Sequence, residues 1–125
     1  MIPYLQRHVR AGGEIFVYPY QPLCYFLTVT SNPTRLDYLQ LGLHSEDQIE
    51  EALAQLAAHP PRAAVWAPSF NTQTIPGAWP ATPQQVLSKD VIRDFILACY
   101  RSCMTLSFDK VPYVFLVRKD LACPN

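Results

Sequence analysis

The stretch Glu14 to Arg35, EIFVYPYQPLCYFLTVTSNPTR, constrains the fold more than any other part of the chain. A short apolar run, Ile15-Phe16-Val17-Tyr18, stops at Pro19. A second apolar segment, Leu23 to Thr30, starts just after Pro22, and the stretch closes on Ser31-Asn32-Pro33-Thr34-Arg35. Proline fixes φ and removes an amide donor, so it ends a strand and suits the first turn of a helix. The order is therefore strand (Glu14 to Tyr18), proline-marked turn, short helix (Pro22 to about Val29), turn. That is the opening of an α/β unit.

The rest of the chain extends this pattern. Pro3 to Arg10 reads as a short helix or lead-in, broken by Gly12-Gly13. Arg35 to Leu39 is a candidate second strand. A helix follows Ser45, where Gln48 completes a Ser-x-x-Gln capping box and Glu46, Asp47, Glu50 and Glu51 crowd the positive end of the dipole. Ile49, Ala52, Leu53 and Leu56 give it one apolar stripe, and His59-Pro60-Pro61 ends it. Ala63 to Ala67 reads as a strand covered on both faces, because it does not alternate. A third helix is expected from the cap Ser88 to about Met104, on the stripe Val91, Ile92, Phe95, Ile96, Cys99 and Cys103. Tyr113 to Val117 is the last strand. Strands separated by helices predict right-handed crossovers and a small three-layer, Rossmann-like α/β domain. Its sheet would be mostly parallel, of four or five strands, with helices on both faces.

A chain of 125 residues is one domain, residues 1–125, and can bury a sizeable core. Ten basic and ten acidic residues cancel, and only 16% are charged. No basic stripe points to nucleic acid. No run of 18 apolar residues is present, so no transmembrane helix is expected in this chain. The amino terminus lacks the apolar stretch of a signal peptide. The turn Pro19-Tyr20-Gln21-Pro22 has no glycine to admit a pyrophosphate, which argues against NAD, FAD and P-loop chemistry. No cofactor is expected.

Open α/β sheets bind ligands beyond the carboxyl ends of their strands. That rim would carry the ligand-binding candidates Tyr20 and Gln21 after the first strand and Asn71, with Ser69, after the Ala63 strand. His44 completes the set. The plainer alternative is that Tyr20 and Gln21 pack and cap their turn. Asn32 and Arg35 are read as turn and helix-end residues, with Arg35 answering Asp37 or a helix carboxyl end. The 26 residues from Ala63 to Ser88 contain no charged side chain and no histidine. Within them a long proline-punctuated loop offers Phe70, Ile75 and Trp79 as a candidate docking surface, or else folds back to cover a sheet edge.

Catalytic groups are not evident. No serine has a Gly-x-Ser-x-Gly setting, and the paired carboxylates Glu46/Asp47 and Glu50/Glu51 serve the helix dipole. The histidines and cysteines lack zinc spacing, so no metal site is expected. Cys99 and Cys103 would sit four apart on one helix, a poor geometry for a disulfide. The four cysteines are read as free thiols, with a single bridge from Cys24 or Cys123 as the alternative.

Glu14 to Trp66 resembles the carboxyl-terminal, extramembrane domain of bacterial membrane glycosyltransferases similar to the dolichyl-phosphate-mannose–protein mannosyltransferase group. The resemblance rests on Glu14-Ile15-Phe16-Val17-Tyr18-Pro19, Tyr25-Phe26-Leu27 and Asn32-Pro33-Thr34-Arg35. It continues through Gly42, the capped helix after His44-Ser45, and Pro60-Pro61-Arg62 entering Val65-Trp66, and the strand Tyr113 to Arg118 also fits. In such proteins the catalytic acid and the lipid-phosphate-sugar site lie in the membrane portion. The resemblance therefore implies a non-catalytic domain on the extracytoplasmic side of a bacterial membrane. It would pack on the membrane portion of a parent protein and help position a lipid-linked sugar donor or an acceptor. The alternative function is a free-standing module that binds a small molecule at the strand-end rim.

Overall fold

The computed structural model describes residues 1–124. The elements in order are α1 (Ile2–His8), β1 (Ile15–Tyr18), α2 (Pro22–Thr28), α3 (Glu46–Ala58) and β2 (Ala63–Trp66). A π-helical turn (Phe70–Thr74) follows, then α4 (Ile75–Ala78), α5 (Gln84–Ser88), α6 (Val91–Cys99), β3 (Tyr100–Phe108) and β4 (Val111–Arg118).

The expected mostly parallel, Rossmann-like sheet is not what forms. The sheet is mixed, in the order β1-β2-β4-β3. Only β1 and β2 are parallel; β4 runs antiparallel to both β2 and β3. The third helix ends at Cys99, and the residues expected to continue it to Met104 enter β3. β3 and β4 form a hairpin whose two-residue turn, Asp109-Lys110, has positive φ at both positions (51° and 65°). Such a primed turn matches the twist of adjacent strands. A tight hairpin fixes its strands antiparallel, which excludes the crossover that a parallel sheet would need.

Arg35 to Leu39 is not a strand either. Leu39 is buried, and its amide donates once to the Pro19 carbonyl (2.9 Å). The segment serves as a lining strip without a ladder of its own. Asn32 organises the turn before it: its Oδ1 accepts from the Thr34 amide (2.8 Å) and hydroxyl (2.9 Å). Arg35 pairs with Glu51 on α3 (2.6 Å) rather than with Asp37.

Alternation along the strands divides the core between the two faces of the sheet. Ile15, Val17, Ala63, Val65, Phe115 and Val117 pack with Leu5 of α1 and with Cys24 and Tyr25 of α2. Phe16, Tyr18, Ala64 and Leu116 pack with Ile49, Ala52 and Leu56 of α3 and with Ile92 and Ile96 of α6. The capping box of α3 is formed in both directions, Gln48 amide to Ser45 Oγ (3.2 Å) and Ser45 amide to Gln48 Oε1 (2.9 Å). β1 lies at the edge of the sheet. Its outward donors are met by the chain itself: Val17 N–H by the Tyr25 hydroxyl (2.8 Å) and Ile15 N–H by the Ser31 carbonyl (3.1 Å).

The reading of four free thiols is overturned, and the alternative of a single bridge from Cys123 is the one that forms. Cys103, on β3, is joined to Cys123. Cys24 and Cys99 are free, the first buried and the second half-buried. The bridge is feasible because Cys103 sits on an edge strand, beside the returning carboxyl-terminal segment, and not on a helix.

Candidate functional site

β1 and β2 run parallel, so Tyr18 and Trp66 end at the same rim, and the Ala67 amide reaches back to the Tyr18 carbonyl (2.9 Å). The chain then enters the π-helical turn. Such turns are uncommon and occur often at functional sites. This one presents Asn71, which is only 8% exposed. Across from it, Asp90 caps α6 by accepting from the Arg93 amide (2.9 Å).

These residues form a buried polar triad. Asp90 is 2% exposed. The Tyr18 hydroxyl donates to its Oδ1 (2.7 Å), and Asn71 Nδ2 donates to its Oδ2 (2.7 Å). Asn71 Nδ2 also lies 3.3 Å from the Tyr18 hydroxyl oxygen. A buried carboxylate without a cation is tolerable when several donors and a helix amino terminus answer it. Asp90 has both. The Arg93 guanidinium turns instead to Asp94 (3.1 Å). Burial, then the Asp90 charge and the hydrogen bond to it, hold the Tyr18 hydroxyl far above the usual phenol range. Tyr18 is thus a fixed donor and not a proton-transfer group at neutral pH.

The triad leaves one group unmatched. Asp90 Oδ2 requires the amide nitrogen of Asn71, which directs Asn71 Oδ1 away, and that oxygen is buried with no donor. An unpaired buried acceptor costs about 1–3 kcal/mol. Asn71 lines a cleft of about 380 Å³ together with Trp66, Ser69, Asp90, Arg93 and Pro112.

The residues singled out from the sequence fall into separate groups. Asn71 and Ser69 line this cleft. Tyr20 lies elsewhere on the rim, stacked on Phe70 (ring centroids 6.0 Å apart) and edge-on to Tyr38 (5.2 Å), which in turn meets the His44 ring (5.2 Å). His44 is held by its Nδ1, which accepts from the Gln40 amide (2.9 Å). Gln21 precedes α2 and lies beside Tyr113, whose hydroxyl pKa is raised by burial and partly offset by the Gln21 side chain. The docking candidates separate too. Ile75 is 0% exposed and belongs to the core, Phe70 is half-buried, and only Trp79 stands out, at 50%. A long uncharged segment that packs down as short helical turns commits its apolar side chains to the core.

Tyr18, Tyr38, Asp90 and Arg93 are the site residues that sequence reasoning missed. Asp90 carried a signal, since it immediately precedes the apolar run of α6 and aspartate is a preferred cap. Among the described residues no group of three or more His, Cys, Asp or Glu side chains could hold a metal, and no helix is long and apolar enough to cross a membrane. No family model, curated protein or solved structure matches this chain.

Proposed function

We propose that this mixed α/β domain is a binding module that takes a small polar molecule in the cleft at the carboxyl end of β1 and β2. The observation that carries this reading is Asn71 Oδ1, an acceptor held in place by Asp90 and lacking a donor. A ligand with hydroxyl or amide donors would supply one on displacing the side chains that close over this oxygen. Trp66, Pro112 and Leu87 offer it apolar walls, and Arg93 offers a polar edge. A few fixed polar groups among apolar walls are what small-molecule sites have in common. No activated nucleophile or base accompanies them, which favours binding over catalysis.

The test is titration of isotope-labelled protein with a panel of monosaccharides, polyols and nucleosides, followed by amide NMR. Saturable shifts at Trp66, Asn71 and Arg93 are expected, and Arg93→Gln should weaken them without unfolding the domain. Shifts that are absent for every class, or that cluster away from the cleft, would reject the reading.

A second reading is favoured by the Cys103–Cys123 disulfide, because such bonds persist mainly in oxidising compartments. On it, the chain is a non-catalytic extracytoplasmic domain of a membrane glycosyltransferase, with the membrane portion and a lipid-linked sugar as its partners. Alkylation and mass spectrometry of protein taken from its native host would test this. A fully reduced Cys103 there would count against it.

A further inference from the structure

A second cavity lies at the opposite end of the parallel pair, where β1 and β2 begin. It measures about 590 Å³ and is lined by His8, Arg10, Glu14, Arg62 and Arg118, with Pro60-Pro61 as one wall. We infer that this basic cleft binds the phosphate group of a ligand, through Arg10 and Arg62 with Arg118 as a fixed third guanidinium.

The framework of the cleft is rigid. Arg118 Nη1 donates to the Pro60 carbonyl (3.0 Å), and its Nε donates to Asp120 (3.1 Å). The Tyr100 hydroxyl donates to the Pro61 carbonyl (2.6 Å), so two side chains hold the proline wall in place. The Arg62 carbonyl accepts from the Arg118 amide (3.0 Å), which fixes the backbone of Arg62 at the mouth of β2. On the other side Gly12, at φ +85°, turns the chain back toward β1. The Gly13 amide closes this turn onto the Arg10 carbonyl (3.0 Å). A Cβ on Gly13 would sit 3.1 Å from that carbonyl, so a side chain there would push the Arg10 carbonyl back by a few tenths of an ångström.

The charges are unbalanced. Arg118 already answers Asp120. Arg10 and Arg62 have no carboxylate partner among the described residues, and Glu14 is the one acid in the lining. An overall neutral chain thus concentrates uncompensated guanidinium groups at one concave place. One exposed arginine gains little from an ion pair in water. Several converging on one group gain more, because guanidinium forks match the oxygens of phosphate two at a time. The cavity also has room for more than a bare phosphate.

The test uses the intact chain, with three probes followed by NMR shift and calorimetry: inorganic phosphate, phosphatidic acid in phosphatidylcholine vesicles, and acetate. Saturable binding of phosphate or of the phosphatidic acid vesicles is expected, with shifts at His8, Gly13, Arg62 and Ala63. Inorganic phosphate alone as ligand would identify a soluble phosphate compound, and vesicle binding alone a lipid headgroup. In either case Arg10→Gln with Arg62→Gln should weaken binding about tenfold or more. Arg35→Gln, which removes a guanidinium that pairs with Glu51 and does not line the cleft, should leave it unchanged, and Glu14→Gln should tighten it. Binding that is absent for both phosphate probes would overturn the proposal, as would equal sensitivity to Arg35→Gln or equal binding of acetate. The rim cleft shares no residue with this one, so Arg93→Gln separates failure here from failure there.

Discussion

Tyr18 closes the end of β1 by donating its hydroxyl to Asp90, 72 residues later in the chain and 2.7 Å away. One hydrogen bond joins the first strand of the sheet to the cap of α6. Both partners are buried, so water cannot replace either one at low cost.

Tyr18→Phe should therefore lower stability by about 1.5–3 kcal/mol, the range for a hydrogen bond to a charged group. Urea unfolding would show a lower midpoint at an unchanged slope. A midpoint equal to that of the parent would mean that Asn71 and the Arg93 amide suffice for Asp90.

The domain should lose stability in alkali. Burial pushes the Cys24 thiol up from 9.0 to about 11. Above pH 9 the unfolded chain releases this proton while the folded chain keeps it, so stability falls as pH rises through that window. The loss reaches about 3 kcal/mol at the upper end, since each tenfold change in proton affinity is worth about 1.4 kcal/mol. Melts from pH 8 to pH 11 should show the loss, and Cys24→Val should flatten the slope over that window whatever its effect on baseline stability. Under native conditions iodoacetamide should label Cys99 well before Cys24.

Gly42 holds φ at +88°, and a Cβ there would lie 2.9 Å from Thr82 Cγ2. Gly42→Ala adds backbone strain to a steric clash and should cost about 1–2 kcal/mol. Pairing it with Thr82→Ser removes the methyl group and should recover part of the loss. Full additivity of the two changes would refute the contact.

Reducing the Cys103–Cys123 bond, which closes a sequence separation of 20, should cost about 3 kcal/mol. A fall of about 10 °C in Tm on adding dithiothreitol would register it. A Tm that does not move would show that the carboxyl-terminal segment contributes nothing through the bond.

Local signals predict this chain well where one element decides its own structure. The Ser45–Gln48 box, the Ile49/Ala52/Leu56 stripe and the doubly covered Ala63–Trp66 strand are all legible, because caps and burial patterns act within a few residues. β3 is not. The register shifts between Ser102 and Met104 as β3 pairs with β4, so strict alternation is broken there, and Cys99 and Cys103 mimic a helical spacing. An exposed edge strand also lacks the apolar run that would have marked it. The rim shows the same division. Asn71 is within reach of sequence reasoning because it follows a strand. Tyr18 and Asp90 depend on a long-range meeting that no short window of sequence records.

The Tyr25 hydroxyl on Val17 N–H also affects self-association. A bare edge strand is a template on which another chain can add a strand, and small sheets risk growing into aggregates by that route. Here Tyr25 and Ser31 already occupy the two outward donors of β1. A single phenol thus acts as an end-stop for the sheet, and Tyr25→Phe would reopen one docking point for a foreign strand.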